Sequence, residues 1–307
     1  MKDLKEKNMP ASEAVLSDAE LKKQAAKEKR ARFFRTMFSR KIVIIGALGL
    51  LFFILVAIFA PQIAQYDPSA MDSKAILETP NAVHWLGTDN YGRDTFARLV
   101  YGARISLIIG VLAVAIAAVI GISLGMMAGY FGGIIDMIIM RVMEAMMAIP
   151  ALMVNLALVA VIGNSITDLA VILAVTTVPS YVRMTRAMTL RVRNSDYVKA
   201  AKMAGSSSFS ILVNHVLPNV ISHNIVQVVS NVGGTILQEA ALSFLGVGIS
   251  IPTPSWGTMV SEGRNYLLFN PTIALVPGLC VALLVISLNL LGDGIRDAMD
   301  PRLRGEN

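Results

Sequence analysis

Six stretches of the chain are apolar enough, and long enough, for a helix to cross a bilayer whose hydrocarbon core of about 30 Å takes roughly 20 residues. Residues 42–60 give 19 uncharged positions before Pro61, and residues 105–129 give 25. A third stretch, 134–162, carries Asp136, Arg141 and Glu144 in its first turns. The fourth, 166–182, is weaker and holds Asp168 and Pro179; the fifth, 219–245, has Glu239 as its only charge; the sixth is 272–291. The pattern predicts an all-α, polytopic membrane protein with both termini on one side.

Polar and small residues inside these spans are placed with a period. Ala117, Gly121, Gly125 and Gly129 recur every four residues and form one narrow face. Helices in lipid attract through close backbone contact, so this face predicts a packing seam. In the fifth span Asn224, Asn231 and Gln238 recur every seven residues, with Gln227 and Thr235 near the same stripe. Amides facing hydrocarbon are costly. The stripe therefore faces protein, as interhelical hydrogen bonds, or water, as the wall of a solute pathway. In the third span Arg141 and Glu144 are spaced to pair on one helical face. Met137, Met140, Met143 and Met146 follow at intervals of three, as a soft-metal ligand set or, more simply, a flexible packing surface. Pro150 predicts a bend there.

Composition fits this picture: of 307 residues 55% are hydrophobic and 16% charged, and the mean hydropathy is +0.62. The formal charge of +6 is topological rather than a nucleic-acid footprint. The arm up to Lys41 holds 12 Lys or Arg, and residues 183–202 hold six. Arg141, Arg296, Arg302 and Arg304 join them on one face, leaving Lys74, Arg93, Arg98, Arg104 and Arg264 opposite. The positive-inside rule then puts both termini and the loop after residue 183 in the cytoplasm. The 41-residue preamble is too long for a signal peptide, so the first span is expected to be an uncleaved anchor. Ser17 and Glu20 suit a capping box, and Phe33, Phe34, Met37 and Phe38 among basic residues suit a helix on the inner membrane surface. A lone Cys280 and three scattered histidines make no disulfide or metal pattern. Nor is there a phosphate-cradling G-x-x-x-x-G-K-[ST] loop, an H-E-x-x-H or a G-x-S-x-G, so the chain is expected to be no enzyme by itself.

Between the fourth and fifth spans, Asp196 is placed to cap a short helix that Gly205 stops in the left-handed conformation, with Ala200, Ala201 and Ala204 as a small-residue face. Pro218 starts the next span. The segment resembles the EAA loop of ABC-importer permeases: Lys199-Ala200-Ala201, then Gly205, then Leu217-Pro218. Lys199 departs from the usual Glu and reverses a charge. Three further blocks resemble the second permease subunit of the peptide/nickel branch. These are His84-Trp-Leu-Gly-Thr-Asp-Asn-Tyr-Gly-Arg-Asp94, Ser243-Phe-Leu-Gly-Val-Gly248 leading to Pro254-Ser-Trp-Gly257, and Asn289-Leu-Leu-Gly-Asp-Gly-Ile-Arg-Asp-Ala-Met-Asp-Pro-Arg302. In the first, Asp89 and Asp94 are expected to bind backbone amides or Arg93 as an outer clasp; in the second, Trp256 suits the membrane interface; in the third, Asp293, Arg296 and Asp297 are spaced as an ion-pair cluster.

The resemblance implies a type I importer, MetI-like transmembrane domain with six transmembrane helices. It implies a cytoplasmic arm (1–41), a first transmembrane helix (42–61), an extracytoplasmic segment (62–104), a permease core (105–294) containing the coupling loop (191–218), and a cytoplasmic tail (295–307). Coupling to an ATPase falls on Asp196, Lys199, Ala200, Ala201, Gly205 and Pro218. Candidate pathway residues are Asn224, Gln227, Asn231, Thr235 and Gln238. Expected partners are a homologous permease, two ATP-binding cassette subunits holding ATP and Mg, an extracytoplasmic binding protein and the lipid bilayer, without nucleic acid. The implied solute is a di- or oligopeptide, with nickel or a nickel chelate as alternative. A secondary transporter would need more embedded carboxylates than Asp168 and Glu239.

Overall fold

A computed structural model describes residues 40–299 together with Lys27, Arg35, Met37 and Phe38. The readings of Ser17 and Glu20 as a capping box, of Phe33 and Phe34 as interfacial, and of Arg302 and Arg304 lie outside the described residues. Among those described the architecture is all helical, with one isolated bridge between Thr88 and Asp94. In chain order the helices are α1 (Lys41–Ile58), α2 (Ala60–Ile63), α3 (Thr95–Phe131), α4 (Gly133–Met147), α5 (Ala151–Ile162) and α6 (Ile166–Arg193). They continue with α7 (Asp196–Met203), α8 (Ser208–Ile211), a π-helical turn (Leu212–Val216), α9 (Leu217–Phe244), α10 (Trp256–Gly263), a 3₁₀ turn (Arg264–Tyr266) and α11 (Thr272–Met299).

Helices α1, α3, α6 and α11 are long and apolar enough to cross a membrane, and α4 with α5 make a fifth crossing if counted as one broken span. The sixth expected span, α9, has the length at 28 residues, but its amides, serines and His223 dilute its apolar content. Two helices outrun their apolar cores. Helix α3 starts ten residues before the uncharged run because Asp94 caps it, accepting from Ala97 N–H at 2.6 Å. Helix α6 continues past Pro179 and through Arg183 to Arg193, and the hydroxyls of Thr176 and Thr177 bond back to the Leu173 carbonyl beside the proline. The third predicted span is broken rather than bent: α4 and α5 meet at 90° around residues 148–150, with Pro150 as the N-cap of α5.

The four-residue glycine pattern of α3 packs against α6. A Cβ on Gly125 would lie 2.7 Å from both Thr185 Cβ and the Val182 carbonyl oxygen, and one on Gly129 would lie 2.7 Å from Thr189 Cβ. Gly121 meets Tyr181 in the same way. Tyr181, Thr185 and Thr189 thus form the matching four-residue stripe on α6, the close approach that small residues permit in lipid. Helix α1 lies against α11, with Gly46 under Leu290 and Val43 under Gly294, and Arg40 pairs with Asp297 at 2.7 Å. That contact takes Asp297 out of the expected tail cluster, in which Arg296 reaches only Asp293, at 3.7 Å.

Trp256 faces the protein interior rather than the surroundings of the bundle. It is fully buried, its indole N–H donates to the Leu99 carbonyl at 2.9 Å, and its ring stands edge-on to Phe53. Gly102 leaves the space for it; with its polar atom satisfied, the indole contributes its full apolar area to the core. The segment before α3 is locked to α10. Asp89 accepts from the backbone of Tyr91 and Arg93 and from Arg93 Nε at 2.7 Å. Arg93 and Arg98, both fully buried, each donate through Nη2 to Glu262 Oε2 at 2.9 Å. Asp94 also bonds His84 Nδ1. Glu262→Gln removes one of the two carboxylates that, with Asp89, offset the buried guanidiniums of Arg93 and Arg98, at an expected cost of about 1–3 kcal/mol. A lowered melting temperature of the purified protein, with the helical circular dichroism signal retained, is the check.

Candidate coupling loop and pathway wall

The loop after α6 is built to protrude. Ser195, not Asp196, occupies the N-cap of α7, and its hydroxyl turns back to donate to the Val192 carbonyl at 2.6 Å. Asp196 becomes the first helical residue, where its charge suits the positive end of the helix. The helix ends in the glycine stop that its sequence predicts. Gly205 has φ +79°, and Ser206 N–H reaches back to the Ala201 carbonyl while Gly205 N–H reaches Lys202. This is a Schellman closure, which needs a left-handed residue where Gly205 stands. Lys199 finds its carboxylate on its own helix, Asp196 at 3.3 Å, with both side chains exposed. Such a pair contributes little stability and leaves both charges open to a partner.

Val198 fastens α7 to the body, buried with Tyr130, Ile211, Leu212, Val216 and Val220. On the outward side Tyr197, Met203 and Phe209 are exposed, the last two at 83% and 76%, and Ala200 is exposed beside them. The Ala-Ala-Gly framework is visible in the sequence. The exposed apolar trio was missed there, because exposure of Tyr197, Met203 and Phe209 follows from packing and not from their spacing along the chain. At the other end of the loop Pro218 sits in the first turn of α9, following the π-helical turn.

The amide stripe of α9 is largely tied to α6. Asn224 is buried; it accepts from the Thr185 hydroxyl at 3.0 Å and donates to the Val220 carbonyl. Thr235 is buried as well. Both are enclosed by this chain's own helices. Gln227 donates to Ser180 Oγ at 3.2 Å, and Gln238 accepts from Asn155 of α5, which in turn accepts from Thr176 at 3.0 Å. Asn231 is half-buried. Glu239 is buried near the C-terminal end of α9, accepting from Ser243 at 2.8 Å and Ser255 at 3.0 Å.

What the sequence did not indicate is a polar strip along α6 itself. Thr176, Ser180 and Arg183 follow at helical spacing; Ser180 and Arg183 are exposed, and Gln227 and Gln238 flank the strip from α9. Such side chains are expensive against lipid tails, so the strip faces water or protein. It runs toward a cavity of about 470 Å³ lined by Met140, Glu144, Met147, Ala148, Arg183 and Arg186. There Arg186 clamps Asp136 of α4 with two parallel bonds, Nε to Oδ1 and Nη2 to Oδ2.

A bundle of long apolar helices that carries one short, exposed helix on a loop and one polar strip along its side is the build of a multi-pass membrane transport component. Residues 121–305 match the family described as binding-protein-dependent transport system inner membrane component, and residues 30–80 match the N-terminal transmembrane domain of oligopeptide transport permease C. The dipeptide transport system permease protein of Alkalihalophilus pseudofirmus is 39% identical over 271 residues, covering 88% of this chain and 89% of that protein. The di/tripeptide transport system permease protein of Pseudomonas aeruginosa is 42% identical, with 84% and 89% covered. The glutathione transport system permease protein of Escherichia coli is 39% identical, with 89% and 90% covered. A chain of the inward-facing MetNI methionine ABC transporter shares the fold, with a TM-score of 0.54 at 18% identity over 66% of this chain and 97% of that one. The chain belongs to the family of binding-protein-dependent transport system inner membrane components and is a permease subunit of an ABC importer, not a catalytic one.

Proposed function

We propose that this chain forms, with a homologous permease, the membrane pathway of an ATP-driven importer of di- or oligopeptides. It crosses the inner membrane six times with both termini in the cytoplasm; α9 is the sixth crossing, its amides made tolerable by their bonds to α6. Two ATP-binding cassette subunits, which hold ATP and Mg, dock at α7, and an extracytoplasmic binding protein delivers solute to the opposite face. The observation that carries this reading is the short joint between α6 and α7. The helix bearing the polar strip ends at Arg193, and only Asn194 and Ser195 separate it from the exposed helix that carries Lys199, Ala200 and Ala201 and stops at Gly205. Movement imposed at the docking helix therefore has a two-residue joint to cross before it reaches the helix of the pathway wall. Peptides are favoured over nickel by the named relatives, which are dipeptide, di/tripeptide and glutathione permeases. Gln227, Asn231 and Gln238 keep their place as pathway residues, joined by Thr176, Ser180 and Arg183.

Alternating access requires that docking at residues 196–205 differ in energy between inward and outward states. The test is Gly205→Val. A β-branched residue at φ +79° opposes the Schellman closure and displaces Ser206 onward. No side chain would be met within 4 Å of a Cβ there, so the effect is conformational and local. The expected outcome is a protein that inserts normally yet loses peptide uptake driven by ATP, measured in proteoliposomes with the complete complex. Wild-type uptake by the variant would overturn the assignment of the loop.

A further inference from the structure

The methionines of α4 have no role in the coupling loop or in the amide stripe, and the cavity at the break between α4 and α5 gives them one. Of its six lining residues two are methionines, Met140 and Met147. Met143 is buried behind them and Met146 packs on the same core. Apart from Ala148 the remaining lining is charged, and those charges mostly cancel: Arg186 is held by Asp136, and Glu144 is held by Arg141 at 3.2 Å. Arg183 is left over. Its Nη1 rests on Met147 Sδ at 3.6 Å, a weak acceptor that offsets no charge, and among the described residues no carboxylate pairs with it. The side chain is exposed on the polar strip of α6.

We infer that this cavity is a transit site for peptides, in which Arg183 binds the C-terminal carboxylate and the methionine wall accepts side chains of any apolar shape. The inference rests on the importer reading above and names the part of the solute that the pathway recognises. A guanidinium presents paired donors that match a carboxylate, and every unmodified linear peptide carries that group whatever its sequence. Unbranched, polarisable methionine side chains repack around different partners, as promiscuous binding surfaces require. The cavity's size lies within the range of about 300–1,000 Å³ found for small-ligand clefts. A site of this kind is sequence-tolerant and terminus-specific, which is what an importer of varied short peptides needs from its membrane subunit.

The experiment uses the complete complex in proteoliposomes with its binding protein, comparing a dipeptide with its C-terminal amide, both at concentrations that saturate the binding protein. The expected result is that Arg183→Gln lowers uptake of the free acid about tenfold more than it lowers uptake of the amide. Arg183→Lys is expected to restore part of the free-acid rate. Equal loss for both solutes, or no loss for either, overturns the transit site. ATP hydrolysis stimulated by the loaded binding protein is measured in parallel. If stimulation persists in the variant while the acid and amide are not distinguished, the transit site fails and the importer reading stands. If wild-type complex shows no stimulation, the importer reading fails and takes the transit site with it.

Discussion

Gly125→Leu is expected to abolish accumulation of folded protein in the membrane. At this position α3 and α6 are in backbone contact, and a bare Cβ already comes within 2.7 Å of the Val182 carbonyl oxygen and of Thr185 Cβ. Neither is the end of a flexible side chain that can swing aside. An isobutyl group forces the helices apart along the whole seam, so Gly121 and Gly129 lose their contacts too. Overpacking of one site costs about 1–3 kcal/mol; here the seam also carries the van der Waals contact that replaces hydrophobic driving force in lipid. The Thr185–Asn224 bond, which fastens α9 to α6 beside the seam, is strained by the same displacement. Gly234→Ala is the control, since a Cβ there meets nothing within 4 Å and alanine favours the helix by about 1 kcal/mol. Membrane-fraction abundance and detergent melting temperature read the contrast. Equal abundance of the two variants would show that the seam does not hold the bundle.

The features legible in the sequence are those set by neighbours along the chain. A run of uncharged residues, a glycine after a short alanine-rich helix and a proline at a helix start are local signals, and each has its counterpart in α1, in the Gly205 stop and in Pro218. The four-residue glycine face was legible as a seam because its period alone defines a surface, although its partner, Tyr181 with Thr185 and Thr189, was not. Helix ends were misjudged wherever charges stood: Arg98 and Arg183 lie inside α3 and α6 because a helix ends where its backbone bonds end, not where its apolar run does. Which way the α9 amides face was undetermined, since a seven-residue repeat fixes a stripe but not its rotation. Packing decided it, turning Asn224 and Thr235 inward and leaving Gln227 and Gln238 at the edge of the strip. The partners of Trp256 and Asp297 were missed for a related reason. These partners, Leu99 and Phe53 for one and Arg40 for the other, are distant in sequence.

Uncoupling is the expected result of breaking the Asp136–Arg186 clamp. Arg193 donates to the Gly129 and Tyr130 carbonyls at 3.2 Å, so the lower end of α6 is already fixed to the end of α3. Arg186, two turns higher, is where α6 holds α4, a helix set off from α3 by Gly132 and from α5 by the 90° break around residues 148–150. Load entering at α7 therefore reaches α4 through this pair. The two parallel bonds resist rotation as well as separation, which a point contact between ammonium and carboxylate does not. With both side chains partly exposed, loss of one partner is expected to cost about 1–3 kcal/mol, between the limits for surface and buried pairs. That is tolerable for folding and large for coupling. Asp136→Asn and Arg186→Gln should each lower ATP-driven uptake about tenfold, equivalent to about 1.4 kcal/mol, while ATP hydrolysis continues. The exchanged pair, Asp136→Arg with Arg186→Asp, should recover part of the uptake. Recovery is partial because Arg193 also acts on position 136 and repels an arginine there. Uptake in the exchanged variant no better than the product of the two single losses would mean that the residues act independently, and that α4 is moved by packing rather than by the clamp.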